Sequence, residues 1–149
     1  MRGKIRIGLV LIVAAAASAF LLDHYLKRGA VMGNLIIGEV RISVELANTL
    51  AKKYQGLSGR DSLCEKCGMF FVYEKPERQR FAMRGMKFPL DFIFVRNGKV
   101  VEIWKNVPAP GEGESVENID SGETADQVLE VNAGFIEKYG VKIGDKIEL

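Results

Sequence analysis

Val40-Arg41-Ile42-Ser43-Val44-Glu45-Leu46 alternates apolar and polar residues. A period of two puts one set of side chains on each face of a strand, so this is a half-buried strand. Met69–Tyr73 and Leu90–Val95 are compact apolar runs that read as buried strands, and Gln79–Met83 and Gln127–Val131 are further strands. Between the first two runs, Glu74-Lys75-Pro76-Glu77 reads as a turn. Asn97-Gly98 separates Phe92–Val95 from Val100–Trp104, which predicts a two-residue hairpin. Two short helices are expected. Asn48 or Thr49 can cap one over Leu50–Gln55, ended by Gly56, and Asn132 can cap another over Ala133–Tyr139, ended by Gly140. Gly29–Asn34, Leu57–Gly68 and Pro108–Thr124 read as linker and loops, and Gly144-Asp145 as a turn before a closing strand, Lys146–Leu149. Strands outnumber helices, and the helices are too short for parallel crossovers. The expected fold is α+β: a β-rich, mostly antiparallel, small barrel-like domain with two short helices.

The chain begins differently. A basic start, MRGKIR, precedes an uncharged apolar run from Ile7 to Leu22. That suits a signal peptide, with Ala15–Ala19 as a small-residue stretch for cleavage, or an uncleaved anchor with its basic end in the cytoplasm. The division is therefore residues 1–29 as signal or membrane anchor and 30–149 as one β-rich domain. Either way the domain is expected outside the cytoplasm, with the membrane as a partner through residues 7–22 if the segment is retained. Beyond residue 28 the chain holds 16 basic and 18 acidic residues, so the positive net charge belongs to the N-terminal segment. A mildly acidic domain without a Lys/Arg run is a poor nucleic-acid binder.

The sole histidine, His24, lies beside the apolar segment. This removes Ser-His-Asp and Cys-His nucleophile systems from the domain, along with Cys₂His₂ zinc sites. No P-loop or GxGxxG is present, and no cofactor is implied. Cys64-Glu65-Lys66-Cys67 is a C-x-x-C. A redox pair would want a helix N-terminus, and a metal site would need two more soft ligands. A small disulfide-closed loop fits an extracytoplasmic domain better. Residues 106–137 are rich in acids and 75–105 hold eight bases. These read as solvated faces. Calcium binding by the acidic loop lacks the EF-hand spacing, so no metal site is assigned.

Asp91 stands inside the apolar run Pro89–Val95. Burying a carboxylate requires an answering group. It can accept backbone N–H groups in the Gly85–Pro89 turn, pair with Arg84 with Lys87 also in reach, or line a pocket. Glu130, within Val128-Leu129-Glu130-Val131, is a second acid in a similar setting. If both faced one cleft they could do acid–base work.

Gly56-Leu57 with Arg60, Gly68-Met69-Phe70-Phe71, Phe81-Ala82-Met83, Pro89-Leu90-Asp91-Phe92-Ile93-Phe94, Val128-Leu129-Glu130-Val131-Asn132-Ala133-Gly134, Gly140 and Gly144-Asp145 follow one another in a characteristic order. In this the chain resembles the domain of unknown function 192 family from about Val40 to Leu149. Ala82 departs from the pattern, since relatives often carry Trp there. The resemblance implies a compact β-rich α+β domain, often behind a signal or anchor, and no assigned activity.

The expected function is a non-enzymatic binding or interaction module outside the cytoplasm. Its partner would be a small molecule, a polymer or an envelope protein, and its site Met83, Arg84, Lys87, Asp91 and Glu130. The alternative is a carboxylate-dependent hydrolase or lyase using Asp91 and Glu130 as catalytic residues.

Overall fold

The computed structural model describes residues 31–149. The expected signal or anchor segment lies outside the described residues. Among the described residues no helix is long and apolar enough to cross a membrane. The elements are β1 (Met32–Ile37), β2 (Val40–Ala47), α1 (Leu50–Gln55), β3 (Cys67–Ala82), β4 (Leu90–Arg96), β5 (Lys99–Val107), β6 (Asn118–Asn132), α2 (Phe135–Tyr139) and β7 (Ile147–Glu148).

The strands form one sheet in the order β5-β4-β6-β3-β2-β1-β7. Its two edges meet at a Lys99–Lys146 bridge, where the Ile147 N–H donates to the Gly98 carbonyl and the Val100 N–H to that of Asp145. The sheet thus curls into a half-barrel, and the β-rich α+β expectation holds. Every pairing is antiparallel except β2 with β3, which is parallel. That pair corrects the view that the short helices exclude a crossover. Residues 48–66 make the connection, with α1 as only part of it.

Three other local readings also change. The segment read as linker, Gly29–Asn34, runs into β1, whose Leu35 and Ile37 bury their side chains. Glu74–Glu77 does not reverse the chain: β3 runs through it, with register shifts against β6 between Val72 and Glu77 and between Arg78 and Arg80. Likewise β6 starts at Asn118, inside the expected polar loop. Polar residues obscured both strands because their distal halves are largely exposed. At the second shift the Gln79 N–H loses its ladder partner and donates to Ser121 Oγ (2.9 Å), while Gln79 Nε2 donates to the Ala125 carbonyl. The bulge is therefore satisfied internally. Asn97 and Gly98 take φ of 52° and 71°, the pair of positive values a type I′ hairpin turn needs.

The bends fold the distal half of the β3–β6 ribbon over the sheet. Phe71 and Phe81 would be about 33 Å apart in a straight strand, yet their ring centroids are 5.0 Å apart. Phe81 also packs on Phe92 at 5.5 Å. The sheet consequently buries both faces. One carries Leu35, Ile42, Phe70, Ile93, Leu129 and Val131, closed by Phe135 and Ile136 of α2. The other carries Met69, Phe71, Leu90, Phe92, Phe94 and Val128.

Asp91 belongs to the first face and is fully buried. Its Oδ1 accepts the Asn106 N–H (2.8 Å) and its Oδ2 the Ile136 N–H (2.9 Å). Neither the Gly85–Pro89 turn nor Arg84 supplies a partner. Two residues of β5, Lys105 and Asn106, stand opposite Asp91, between the pairs Leu90–Val107 and Phe92–Trp104. Asn106 adopts φ 53° in that bulge. Ile136 sits in the first turn of α2, where Gly134 at the cap offers no side chain. Asp91 therefore caps α2 from a distant strand. The expected local cap, Asn132, instead donates from Nδ2 to the carbonyls of Leu63 and Cys64.

Asp91→Asn places an amide NH₂ against one of two N–H donors. It is expected to cost about 1.5–3 kcal/mol in urea melts, the worth of a charged hydrogen bond. A variant as stable as wild type would remove the stapling role.

Candidate functional site

Glu130 occupies the opposite face. In the ladder Asp91 faces Val131 while Glu130 faces Phe92, one residue out of step. Since side chains alternate along a strand, the two acids point to opposite sides of the sheet. The expected carboxylate pair is not assembled. Glu130 lies in a row across the second face, Glu45–Met69–Glu130–Phe92.

Of that row, Glu130 reaches the floor of a pocket of about 620 Å³. The folded-back ribbon forms one wall, with Phe81 and Met83, while α1 contributes Leu50, Lys53 and Tyr54 to the other. Phe71, Met86 and Leu90 line the depth, beside Glu130. None of the residues of α1 is buried. The helix is held by its ends: Thr49 Oγ1 accepts the Lys52 N–H, and the Gly56 N–H returns to the Lys52 carbonyl. Gly56 has φ 52° and ψ −138°, backbone that suits glycine. A Cβ there would sit 3.8 Å from the Phe71 ring and 4.0 Å from Glu130 Oε2. Gly56 thus lets the chain pass close above the acid.

Glu130 is only 5% exposed. Among the described residues no hydrogen bond or ion pair reaches its carboxyl. No side-chain oxygen or nitrogen among them is sealed from solvent without a partner, so the carboxyl keeps its access through the pocket. Burial pushes it up to about 8, against a smaller opposing pull from Arg60. Arg60 is itself committed to Glu45, at 2.6 Å. Beside Glu130, burial and then the charge of Glu130 hold the Tyr73 phenol above its ordinary value. At neutral pH the floor therefore presents an uncharged acid, able to donate as well as accept.

Of the expected site residues, Met83, Arg84 and Glu130 line the pocket. Asp91 does not, for the reason given. Lys87 is turned away to an exposed ion pair with Asp61 at 2.6 Å, a contact worth little in water. Sequence reasoning passed over Lys53, Tyr54 and Phe71. The first two fall within the expected helix Leu50–Gln55, and Phe71 within the compact apolar run Met69–Tyr73. The expected disulfide joins Cys64 and Cys67, with Cα atoms 5.1 Å apart, on the loop before β3 and outside the pocket lining. Among the described residues no three His, Cys, Asp or Glu side chains converge as metal donors.

The family model of domain of unknown function 192, described as an uncharacterized ACR, matches residues 34–149. The chain belongs to this family. Two solved structures resemble it. One is from Sinorhizobium meliloti 1021, provisionally described as a transcription regulator: 29% identity, 80% of this chain and 94% of that chain covered, TM-score 0.71. The other, from Novosphingobium aromaticivorans DSM 12444, is described as a protein of unknown function: 31% identity, 79% and 85% covered, TM-score 0.68. Among curated proteins, none matches. Of the segments that carry the family resemblance, Gly56-Leu57, Phe71, Phe81-Ala82-Met83, Leu90 and Glu130 all line this one pocket.

Folded Glu130 holds its proton to about pH 8, whereas its ordinary value is 4.5. Between those values the folded chain keeps a proton that the unfolded chain has released. This group's contribution to stability is therefore full below pH 4.5 and is lost as the pH rises toward 8, by roughly 3 kcal/mol at pH 7. Urea melts from pH 4.5 to 7 should show wild type losing that much relative to Glu130→Gln. Parallel pH profiles would mean that the carboxyl ionises normally.

Proposed function

We propose that this family member is a non-enzymatic binding module whose ligand is a small molecule held in the Glu130 pocket. The observation that carries the reading is the unpartnered Glu130 carboxyl, nearly buried yet open to a cavity of about 620 Å³. Leaving an acid undressed in an apolar site costs stability, which a purely structural sheet face could avoid with a leucine. A cavity of this size, mostly apolar with a few polar groups, has the character of a small-molecule site. The separation of Asp91 from Glu130 argues against the two-carboxylate hydrolase or lyase.

The module is proposed to work outside the cytoplasm, held or delivered by its N-terminal apolar segment. The Cys64–Cys67 disulfide supports this, because such bonds persist in oxidising compartments.

A fragment screen followed by amide shift mapping tests the binding role. Binders should perturb Gly56, Phe71, Phe81, Met83 and Glu130, and spare Leu35 and Val141 on the other face. Perturbations elsewhere, or none, would overturn the reading. For location, Cys64 and Cys67 in protein taken from cells should resist alkylation until reduced. Free thiols would count against an oxidising compartment.

A further inference from the structure

We propose, resting on the small-molecule reading above, that the pocket takes a small organic anion with an apolar body. Its anionic group would lie at the mouth between Lys53 and Arg84, and an uncharged oxygen would meet Glu130 at the base.

The charge around the pocket is one-sided. Its charged lining residues are Lys53, Arg80, Arg84 and Glu130. All those at the mouth are cationic, and the sole acid lies at the floor. Arg80 is already engaged, 2.9 Å from Asp120. Lys53 and Arg84 have no carboxylate partner among the described residues. Each instead rests over an aromatic ring of the lining. Lys53 Nζ is 4.1 Å from the Tyr73 centroid, and the Arg84 guanidinium carbon is 4.8 Å from that of Tyr54. These contacts hold the two cations at the opening without neutralising them. A cationic ligand would have to pass both, whereas an anion is drawn to them.

The depth selects the remainder of the ligand. Phe71, Phe81, Met83 and Leu90 present an apolar slot, suited to an aromatic or alkyl body. At its end the protonated Glu130 can donate to a carbonyl or hydroxyl oxygen, or accept from the hydroxyl. A ligand ammonium there would need Glu130 ionised, against the burial that keeps it neutral.

Three probes share a phenol body and differ only at the other end: 3-(4-hydroxyphenyl)propanoate, tyrosol and tyramine. Titration into the protein at pH 6.5, followed by amide shifts, should rank the propanoate first and at least tenfold tighter than tyramine. The double variant Lys53→Met, Arg84→Met alters exposed or half-buried side chains and should fold. It should shrink that preference to less than threefold. Tyramine binding tightest would overturn the proposal and recast Glu130 as a counter-ion. Equal affinities, or a preference unchanged in the double variant, would also overturn it. If none of the three binds while other fragments still map to Gly56, Phe71 and Glu130, the ligand class fails and the pocket reading survives. If no fragment maps there, both fail.

Discussion

The pairing of β3 with β6 is the constraint on which the rest of the domain depends. Both strands are too long to lie flat in a sheet of this size, and two register shifts let the ribbon bend over one face. Phe81 is thereby brought against Phe71 and Phe92. Without the bend that face would be an open apolar surface, and Glu130 would be an exposed acid. With it, the ribbon and α1 enclose a cavity, and a carboxyl near the end of β6 becomes its floor. The bend is held by polar groups that absorb the broken ladder: Gln79 donates to Ser121 Oγ and to the Ala125 carbonyl, and Ser121 Oγ to the Glu123 carbonyl.

Two acids sit one step apart in neighbouring strands, and the sheet treats them in opposite ways. Asp91 meets two backbone N–H donors and ties β4 to β5 and α2. It completes the fold. Among the described residues Glu130 meets no donor, and burial favours its neutral form. A carboxylate accepting several backbone donors is well solvated by the protein; an isolated one in an apolar cleft retains its proton instead. The fully satisfied acid is thus the structural one, and the unsatisfied acid is where a ligand has something to gain.

The family resemblance gains a physical meaning from this arrangement. Segments far apart in the chain, from Gly56 to Glu130, converge on one cavity. Others serve the opposite face, as Asp91 and Gly134 do at the start of α2. One set of recurring residues thus holds the sheet closed, and the other shapes an opening in it. Ala82 lies on the pocket lining beside Phe81 and Met83.

The sequence by itself determined the β-rich class, the Asn97-Gly98 hairpin and α1, with Asn48 or Thr49 to start it and Gly56 to end it, and it favoured the Cys64–Cys67 closure. Each rests on contacts within a few residues, where period and turn chemistry act directly. It also singled out Asp91 and Glu130, because an acid in an apolar run stands out locally. Only the tertiary structure decided what they do. A one-residue offset between β4 and β6 sends them to opposite faces, and that register is set by packing across the whole sheet. The donors to Asp91 come from Asn106 and Ile136, the latter 45 residues along the chain. The parallel β2–β3 pair, the folding back of the ribbon and the cationic mouth formed by Lys53 and Arg84 are likewise long-range. Which distant segments share a face depends on how the sheet curls, and no local pattern encodes that.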